Sequence, residues 1–392
     1  MNYNFDEIID RRNTNAIKLE RCNALFGTES VLPLWVADMD FRTPDFVLEA
    51  IQQRLEHPIL GYTMPPRNFF DLFTSWIKDH HQWEINKNQV GFVPGIVPAL
   101  AFAVQCFTNP GDEIIVQPPV YYPFFNVIKN NDRKLIYNPL LEKDNKFEMD
   151  FEDMEQKITP ATKMFILCNP HNPGGRVWSF ETLKRLDELC AKHKILVVSD
   201  EIHADMILPG SKHIPYATVS STAAFNSVTF MAPSKVFNMP GIISSFYIIP
   251  DQTLKSKFAG YLEALEVNAG NIFAYQATVA CYEKGEDWRV AMLDYVQGNI
   301  DYVVNYLRNN IPHIKPMIPE ASFLIWLDCK ELGLDSEELH QFFIQEAGLG
   351  LNKGTIFGPG GEYHLRMNVA CSRKVLEQAM FQLKNAVSTK WR

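Results

Sequence analysis

Basic residues are in short supply. The chain has 392 residues, with 37 Lys and Arg against 46 Asp and Glu, a formal net charge of −9. A surface that negative repels phosphate backbones and anionic headgroups, so no nucleic-acid or membrane partner is expected. Long apolar runs are also missing, and no window approaches the ~18 uncharged apolar residues of a membrane helix. The opening MNYNFDEIIDRRNTNAIK carries no apolar segment of the secretory kind, so the expected location is cytoplasmic. The seven cysteines, Cys22, Cys106, Cys168, Cys190, Cys281, Cys329 and Cys371, form no CxxC pair. They read as reduced core thiols, and neither a disulfide framework nor a metal site is expected. No GxGxxG follows any strand-like run, which disfavours a nucleotide-binding dehydrogenase.

What is present is ordinary for a globular chain: 46% hydrophobic and 21% charged residues. At about 150 residues per domain, the length suits two to three domains. From about residue 90 to 250, short apolar runs alternate with helical patterns. The runs are Glu113–Gln117, Met164–Cys168, Ile195–Ser199, Ser227–Met231 and Ser244–Ile249. Each is apolar on both faces, as strands covered by helices on both sides must be. Between the second and third, Phe180, Leu183, Leu186, Leu189 and Cys190 fall at helical spacing and complete a βαβ unit. The middle of the chain is therefore an α/β domain with a mostly parallel sheet. Beyond Gly285, an apolar stripe from Trp288 to Leu307 predicts one long helix, and Phe323–Leu327 and His364–Val369 predict strands of a smaller α+β unit. The first forty-odd residues have little periodicity and suit an arm lying on the small domain or on another subunit.

Four segments carry the chemistry. Ser199-Asp200-Glu201-Ile202-His203 ends a strand in an acid, at the edge where open α/β sheets bind ligands. A desolvated carboxylate there calls for a cation; capping the next helix is the plain alternative. Cys168-Asn-Pro-His-Asn-Pro-Gly-Gly-Arg176 again follows an apolar strand, and its Gly174-Gly175 pair would let backbone pass close to a ligand. Pro94-Gly-Ile-Val-Pro-Ala-Leu100 opens a helix read as Ala99–Phe107, with Gly95 just ahead of a potential phosphate site. In Phe230-Met-Ala-Pro-Ser-Lys235-Val-Phe-Asn-Met-Pro-Gly241, a lysine sits in an apolar stretch. Burial lowers an amine's pKa, and moving it from ~10.4 to ~7–8 takes about 3–5 kcal/mol of environmental bias.

In this order the four segments resemble the pyridoxal 5′-phosphate (PLP) enzymes of aminotransferase fold type I, over nearly the whole chain from Trp35 to Arg366. Leu34-Trp-Val-Ala-Asp-Met-Asp-Phe41, Asp200-Glu-Ile-His203 and Ser234-Lys-Val-Phe-Asn238 are similar to the cystathionine β-lyase (C–S lyase) branch. The resemblance implies a large domain with a mostly parallel seven-stranded sheet plus a smaller α+β C-terminal domain. Residues 1–45 would form an arm or part of the small domain, 46–285 the large PLP-binding domain and 286–392 the small domain. It implies that Lys235 bonds the cofactor aldehyde, Asp200 meets the pyridine nitrogen, and Asn172 and His203 flank the 3′-oxygen. Tyr121 would stack on the ring, a residue otherwise read as core. The phosphate would lie on the N–H groups of Gly95, Ile96 and Val97, with the Ser234 hydroxyl. Tyr62 would reach the phosphate of a neighbouring subunit, making the active unit a homodimer with sites at its interface. Arg366, with Trp35 and Asn172, would bind the substrate; a surface salt bridge is the alternative for the arginine.

Three departures from the family pattern stand out. Val236 to Ile249 contains no base to hold the phosphate. Asn15-Ala-Ile-Lys-Leu-Glu20 lacks the Trp-Asp that often follows the lysine in lyase relatives, and Ala321-Ser-Phe323 replaces a more usual Thr-Tyr. The implied reaction cleaves cystathionine or a related β-thio amino acid to thiol, pyruvate and ammonia. An aminotransferase on the same scaffold is the nearest rival, and a regulatory protein that keeps the scaffold is a rival of another class.

Overall fold

A computed structural model of the chain describes residues 3–391. Its main sheet contains β1 (Val90–Val93), β2 (Glu113–Val116), β3 (Lys134–Tyr137), β4 (Thr162–Cys168), β5 (Leu196–Asp200), β6 (Ser227–Met231) and β7 (Ser245–Ile248). The seven lie in the order β1–β7–β6–β5–β4–β2–β3. Only β7 runs antiparallel to its neighbours, β1 and β6. The expected seven-stranded, mostly parallel sheet is therefore present. β1 and β3 escaped the reading of runs because Gly91 interrupts one and Lys134 opens the other at a rim.

Both faces of the sheet are covered. Val228 and Phe230 face the helix Ile96–Phe107, in a core with Leu100 and Val104. Phe165, Leu167 and Val197 face the helix Phe180–His193 through Leu183, Leu186 and Cys190. That helix has the expected bounds because Ser179 caps it, its hydroxyl accepting from the Thr182 N–H at 3.2 Å. Burying its three leucines stabilises the layer by roughly 1.5–3 kcal/mol each.

The helix Ile96–Phe107 starts three residues before the expected Ala99. Pro98 occupies the third helical position, where its missing N–H would have no intrahelical partner anyway. Gly95 precedes the helix at φ 95°, a backbone conformation that favours glycine.

The long helix Glu286–Asn310 follows the expected stripe, burying Trp288, Met292, Val296, Ile300, Val303 and Leu307. They pack in one core with Leu324, Ile325, Leu365 and Met367 of a second sheet. That sheet holds β8 (Lys315–Met317), β9 (Leu324–Asp328), β10 (Asn352–Lys353) and β11 (His364–Asn368), in the order β8–β9–β11–β10. The N-terminal segment lies on this part of the chain, with Leu32–Pro33 pairing in parallel with Leu349–Gly350. All seven cysteines are buried and free. Among the described residues no helix is long and apolar enough to cross a membrane.

Candidate active site

Parallel strands point their carboxyl ends at one edge, and the chain places its reactive side chains just past those ends. Residues 94–98 follow β1, Tyr121 follows β2, Asn169–Asn172 follow β4, Asp200 closes β5 and Ser234–Lys235 follow β6. β7 begins at the same edge because it runs backwards, which adds Ser244 and Ser245. Register fixes the spacing: Cys168 pairs with Asp200 across β4 and β5, and Asp200 with Phe230 across β5 and β6. The result is a cavity of about 270 Å³ lined by Gly95, Ile96, Val97, Tyr121, Asn172, Asp200, His203, Ser234 and Lys235, with Ala37 and Ser245 among its other walls.

One end of this cavity suits an anion. Ile96 and Val97 are the first residues of a 12-residue helix, whose opening N–H groups lack intrahelical partners. Gly95 departs from expectation, because its N–H is taken up by the Val93 carbonyl at 2.9 Å. The expected trio of backbone donors is therefore reduced to the pair Ile96 and Val97, beside the Ser234 and Ser245 hydroxyl positions.

Asp200 calls for a positive group. Its carboxylate is buried, accepts one hydrogen bond from the Ile202 N–H at 3.1 Å and has no ion pair among the described residues. Burial raises its pKa to about 7, Glu201 adds to the rise, and the Ile202 N–H and Lys235 oppose it. It caps no helix. His203 lies alongside, buried, with Nδ1 unpartnered. Burial, then Lys235 and Arg366, push its pKa down to about 3, so the ring is neutral.

The Lys235 Nζ donates to the Ala37 carbonyl at 2.6 Å. Burial lowers its pKa to about 8, with Arg366 acting in the same sense and Asp38 and Asp200 against. The wall that receives it is tightly held. Asn238 bonds the Met39 N–H at 3.0 Å and the Phe41 carbonyl at 2.7 Å, and Asn368 bonds the Val36 and Asp38 carbonyls at 2.6 and 2.7 Å. Lys18, 2% exposed, pairs with Asp40 at 2.7 Å.

Arg366 is 3% exposed and makes no salt bridge among the described residues. Its Nη1 donates to Asn172 Oδ1 at 3.0 Å, and its Nη2 to the Trp35 carbonyl at 2.9 Å and to Asn352 Oδ1 at 2.6 Å. All three acceptors are neutral, so the charge is positioned without being cancelled. Burial lowers its pKa to about 10, which leaves it cationic at neutral pH. Tyr121 lines the same space, with its hydroxyl pKa raised to about 12, chiefly by burial.

Several expected residues stand elsewhere. The Trp35 side chain lies outside the cavity, packed with Phe26 and bonded through Nε1 to the Lys18 carbonyl at 3.0 Å. Its link to the site is its own carbonyl on Arg366. Gly174 and Gly175 do not border the cavity. A Cβ at Gly174 would stand 2.5 Å from the Phe147 ring, and one at Gly175 2.4 Å from Pro319 Cβ, so these glycines admit neighbouring chain rather than a ligand. Tyr62 is fully exposed, away from the cavity of its own chain. Asn352, Ser244 and Ser245 went unread. The serines opened a run read only as a strand, and Asn352 meets Arg366 through cross-strand register, β10 against β11.

A family model for aminotransferase class I and II matches residues 29–383. The chain is 44% identical to the cystathionine beta-lyase PatB of Bacillus subtilis (strain 168) over 386 residues, 98% of this chain and 100% of that protein. Among solved structures, cystalysin from Treponema denticola, which contains PLP, matches with a TM-score of 0.96 and 34% identity over 100% of both chains. The PLP-bound C–S lyase from Staphylococcus hominis matches with a TM-score of 0.91 and 36% identity, over 99% of this chain and 98% of that one. The chain belongs to the aminotransferase class I and II family and is a PLP-dependent enzyme. Within that family it is similar over its full length to C–S lyases.

The residues present fit that cofactor. The opening N–H groups of the helix Ile96–Phe107 suit its phosphate, the Asp200 carboxylate, without an ion pair among the described residues, suits its protonated ring nitrogen, and His203 and Lys235 line the same cavity. The fit carries a pH signature. Without cofactor, a folded pKa of about 7 against 3.8 means that the native state holds the Asp200 proton more tightly than the unfolded chain. This group's contribution is then favourable below about pH 4 and is lost as pH rises through 7, by an amount on the order of 4 kcal/mol. Asp200→Asn is expected to raise the melting temperature of the cofactor-free protein at pH 8 by several degrees and to leave it unchanged at pH 4. Thermal melts at the two pH values check this, and equal shifts at both would contradict it.

Proposed function

We propose that this protein is a PLP-dependent carbon–sulfur β-lyase that cleaves cystathionine or a related β-thio amino acid to thiol, pyruvate and ammonia. The observation that carries the reading is a lysine amine lining the cavity and a buried, uncancelled arginine joined to its wall through Asn172, in a chain 44% identical to a cystathionine β-lyase along its full length. When bound, PLP supplies an electron sink conjugated to the substrate nitrogen, through which the Cα proton becomes removable and the β-thiolate can leave.

Arg366 grips the substrate carboxylate with its planar fork, which orients Cα. Asn172, already bonded to Nη1, extends from this clamp into the cavity. Lys235 Nζ takes the Cα proton. A pKa near 8 leaves part of it uncharged at neutral pH and lets it return the proton to sulfur. Asp200 would hold positive charge on the ring nitrogen, His203 and Asn172 would flank the 3′-oxygen, and Tyr121 would hold the ring plane. Ile96, Val97 and Ser234 would take the phosphate. The three-carbon remainder is hydrolysed to pyruvate and ammonia.

The active unit in this reading is a homodimer. Ile59, Leu60, Tyr62 and Met64 project apolar surface from an irregular segment, and Tyr62 completes the partner's phosphate site. Residues 46–285 act as the cofactor domain, residues 286–392 as the small domain and residues 1–45 as an arm on it. The net charge of −9 suits a cytoplasmic enzyme of small molecules. Incubation with cystathionine and no keto acid tests the reaction: homocysteine and pyruvate in equal amounts are expected. Turnover that appears only when a keto acid is added would make the protein an aminotransferase instead.

A further inference from the structure

One cluster of ionisable groups lies outside this chemistry. Glu142 comes from the short strand Leu141–Lys143, Asp328 ends β9, and His364 opens β11 directly opposite Asp328. One ligand atom from each of the three, a ring nitrogen and two carboxylate oxygens, lies within 4.8 Å of the others.

The histidine distinguishes this cluster from an ordinary acidic patch. Its ring is 3% exposed and stacks on Trp326 at 5.1 Å and 6°. Nδ1 lies 2.7 Å from the Glu362 carbonyl oxygen. A carbonyl only accepts, so Nδ1 carries a proton, which leaves Nε2 as the nitrogen with a lone pair in the neutral ring. Nε2 is buried without a hydrogen-bond partner, and Glu142 Oε2 is 3.6 Å away, beyond hydrogen-bond reach. Metal-binding imidazoles are oriented in this way, one ring N–H on a backbone carbonyl and the other nitrogen free.

Lys330 is the cation paired with both carboxylates, its Nζ 3.2 Å from Glu142 and 3.7 Å from Asp328; Lys315, opposite Asp328, is paired with Glu331, and Glu362 lines the same cavity as Glu142. Lys330 is half exposed on a flexible stem and can swing into solvent. A cavity of about 260 Å³ lined by Glu142, Lys330, Tyr363 and His364 gives access. We infer that His364, Glu142 and Asp328 form a binding site for a divalent cation of the zinc class, for which Lys330 is the resident competitor. One imidazole with two carboxylates suits zinc, whereas calcium takes six or more oxygens.

Zinc titration of the untagged PLP-bound enzyme, followed with a chromophoric chelator, tests the inference. Wild type is expected to bind one zinc ion per chain at this site, and His364→Gln and Glu142→Gln to weaken it at least ~10-fold. Lys330→Ala should tighten it, an effect in the opposite direction that misfolding cannot imitate. Calcium should not compete. The inference is overturned if zinc binds His364→Gln and Glu142→Gln as it binds wild type, if wild type takes no zinc, or if Lys330→Ala leaves affinity unchanged or weaker.

Discussion

Lys235→Ala is expected to lower thiol release from cystathionine by at least ~10⁴-fold and to abolish the yellow colour of the enzyme incubated with PLP. Two effects combine. General base catalysis by a positioned amine contributes roughly 10²–10⁴-fold, and the covalent anchor of the cofactor is lost with it. Among the described residues no other amine lines the cavity to take over either role. Lys235→Arg separates charge from chemistry. It keeps a cation near Asp200, but a guanidinium stays protonated and takes no proton from Cα, so this variant is expected to be as inactive as the alanine. A stopped assay of thiol and pyruvate with each purified variant decides the matter. Residual activity above one part in about 10³ in either variant would remove Lys235 from the reaction.

The wild-type pH profile follows from the same amine. With a pKa brought down to about 8 by burial, the fraction of uncharged Lys235 rises as pH climbs from 6 to 8. This applies to steps in which the amine is free of the cofactor.

The layered scaffold was legible because burial on two faces leaves little choice of residue. Ser227–Met231 and Met164–Cys168 announce themselves as strands, since helices on both sides exclude polar alternation. Phe180–His193 was legible to the residue because both its stripe and its cap are local signals. Asp200 and Lys235 could be read for a related reason: a charged residue at the edge of an apolar run is costly unless something uses it. What failed to show was everything decided by non-local geometry. Asn352 reaches Arg366 only through the pairing of β10 with β11. The Gly95 N–H turns back on Val93, a local bend that a glycine permits but does not announce. Gly174 and Gly175 looked like a ligand approach, because sequence shows that backbone comes close to something without showing to what; here it is Phe147 and Pro319. Trp35 likewise contributes a carbonyl, and a side-chain reading has no access to that.

Replacing Arg366 with methionine is expected to reduce kcat/KM for cystathionine by about 10²–10³-fold, mostly through KM, without loss of stability. Breaking one partner of a buried charge pair typically costs 2–5 kcal/mol, and about 3–4 kcal/mol corresponds to that factor. The stability clause is the more diagnostic one. In the protein without substrate the guanidinium is buried against Asn172, Asn352 and a carbonyl, with no anion to offset its desolvation. Removing it relieves that cost, so the melting temperature of the variant should equal or exceed that of wild type. A purely structural arginine would give the reverse, a lower melting temperature with KM unmoved. Asn352→Asp sharpens the test. It keeps the shape and the 2.6 Å contact but places a negative charge on Nη2, forming within the protein the ion pair that substrate would otherwise make. KM should rise at least ~10-fold while the protein becomes more stable, since a charge-assisted hydrogen bond replaces a neutral one. If Asn352→Asp binds substrate as well as wild type does, the uncancelled charge of Arg366 is not what holds the carboxylate.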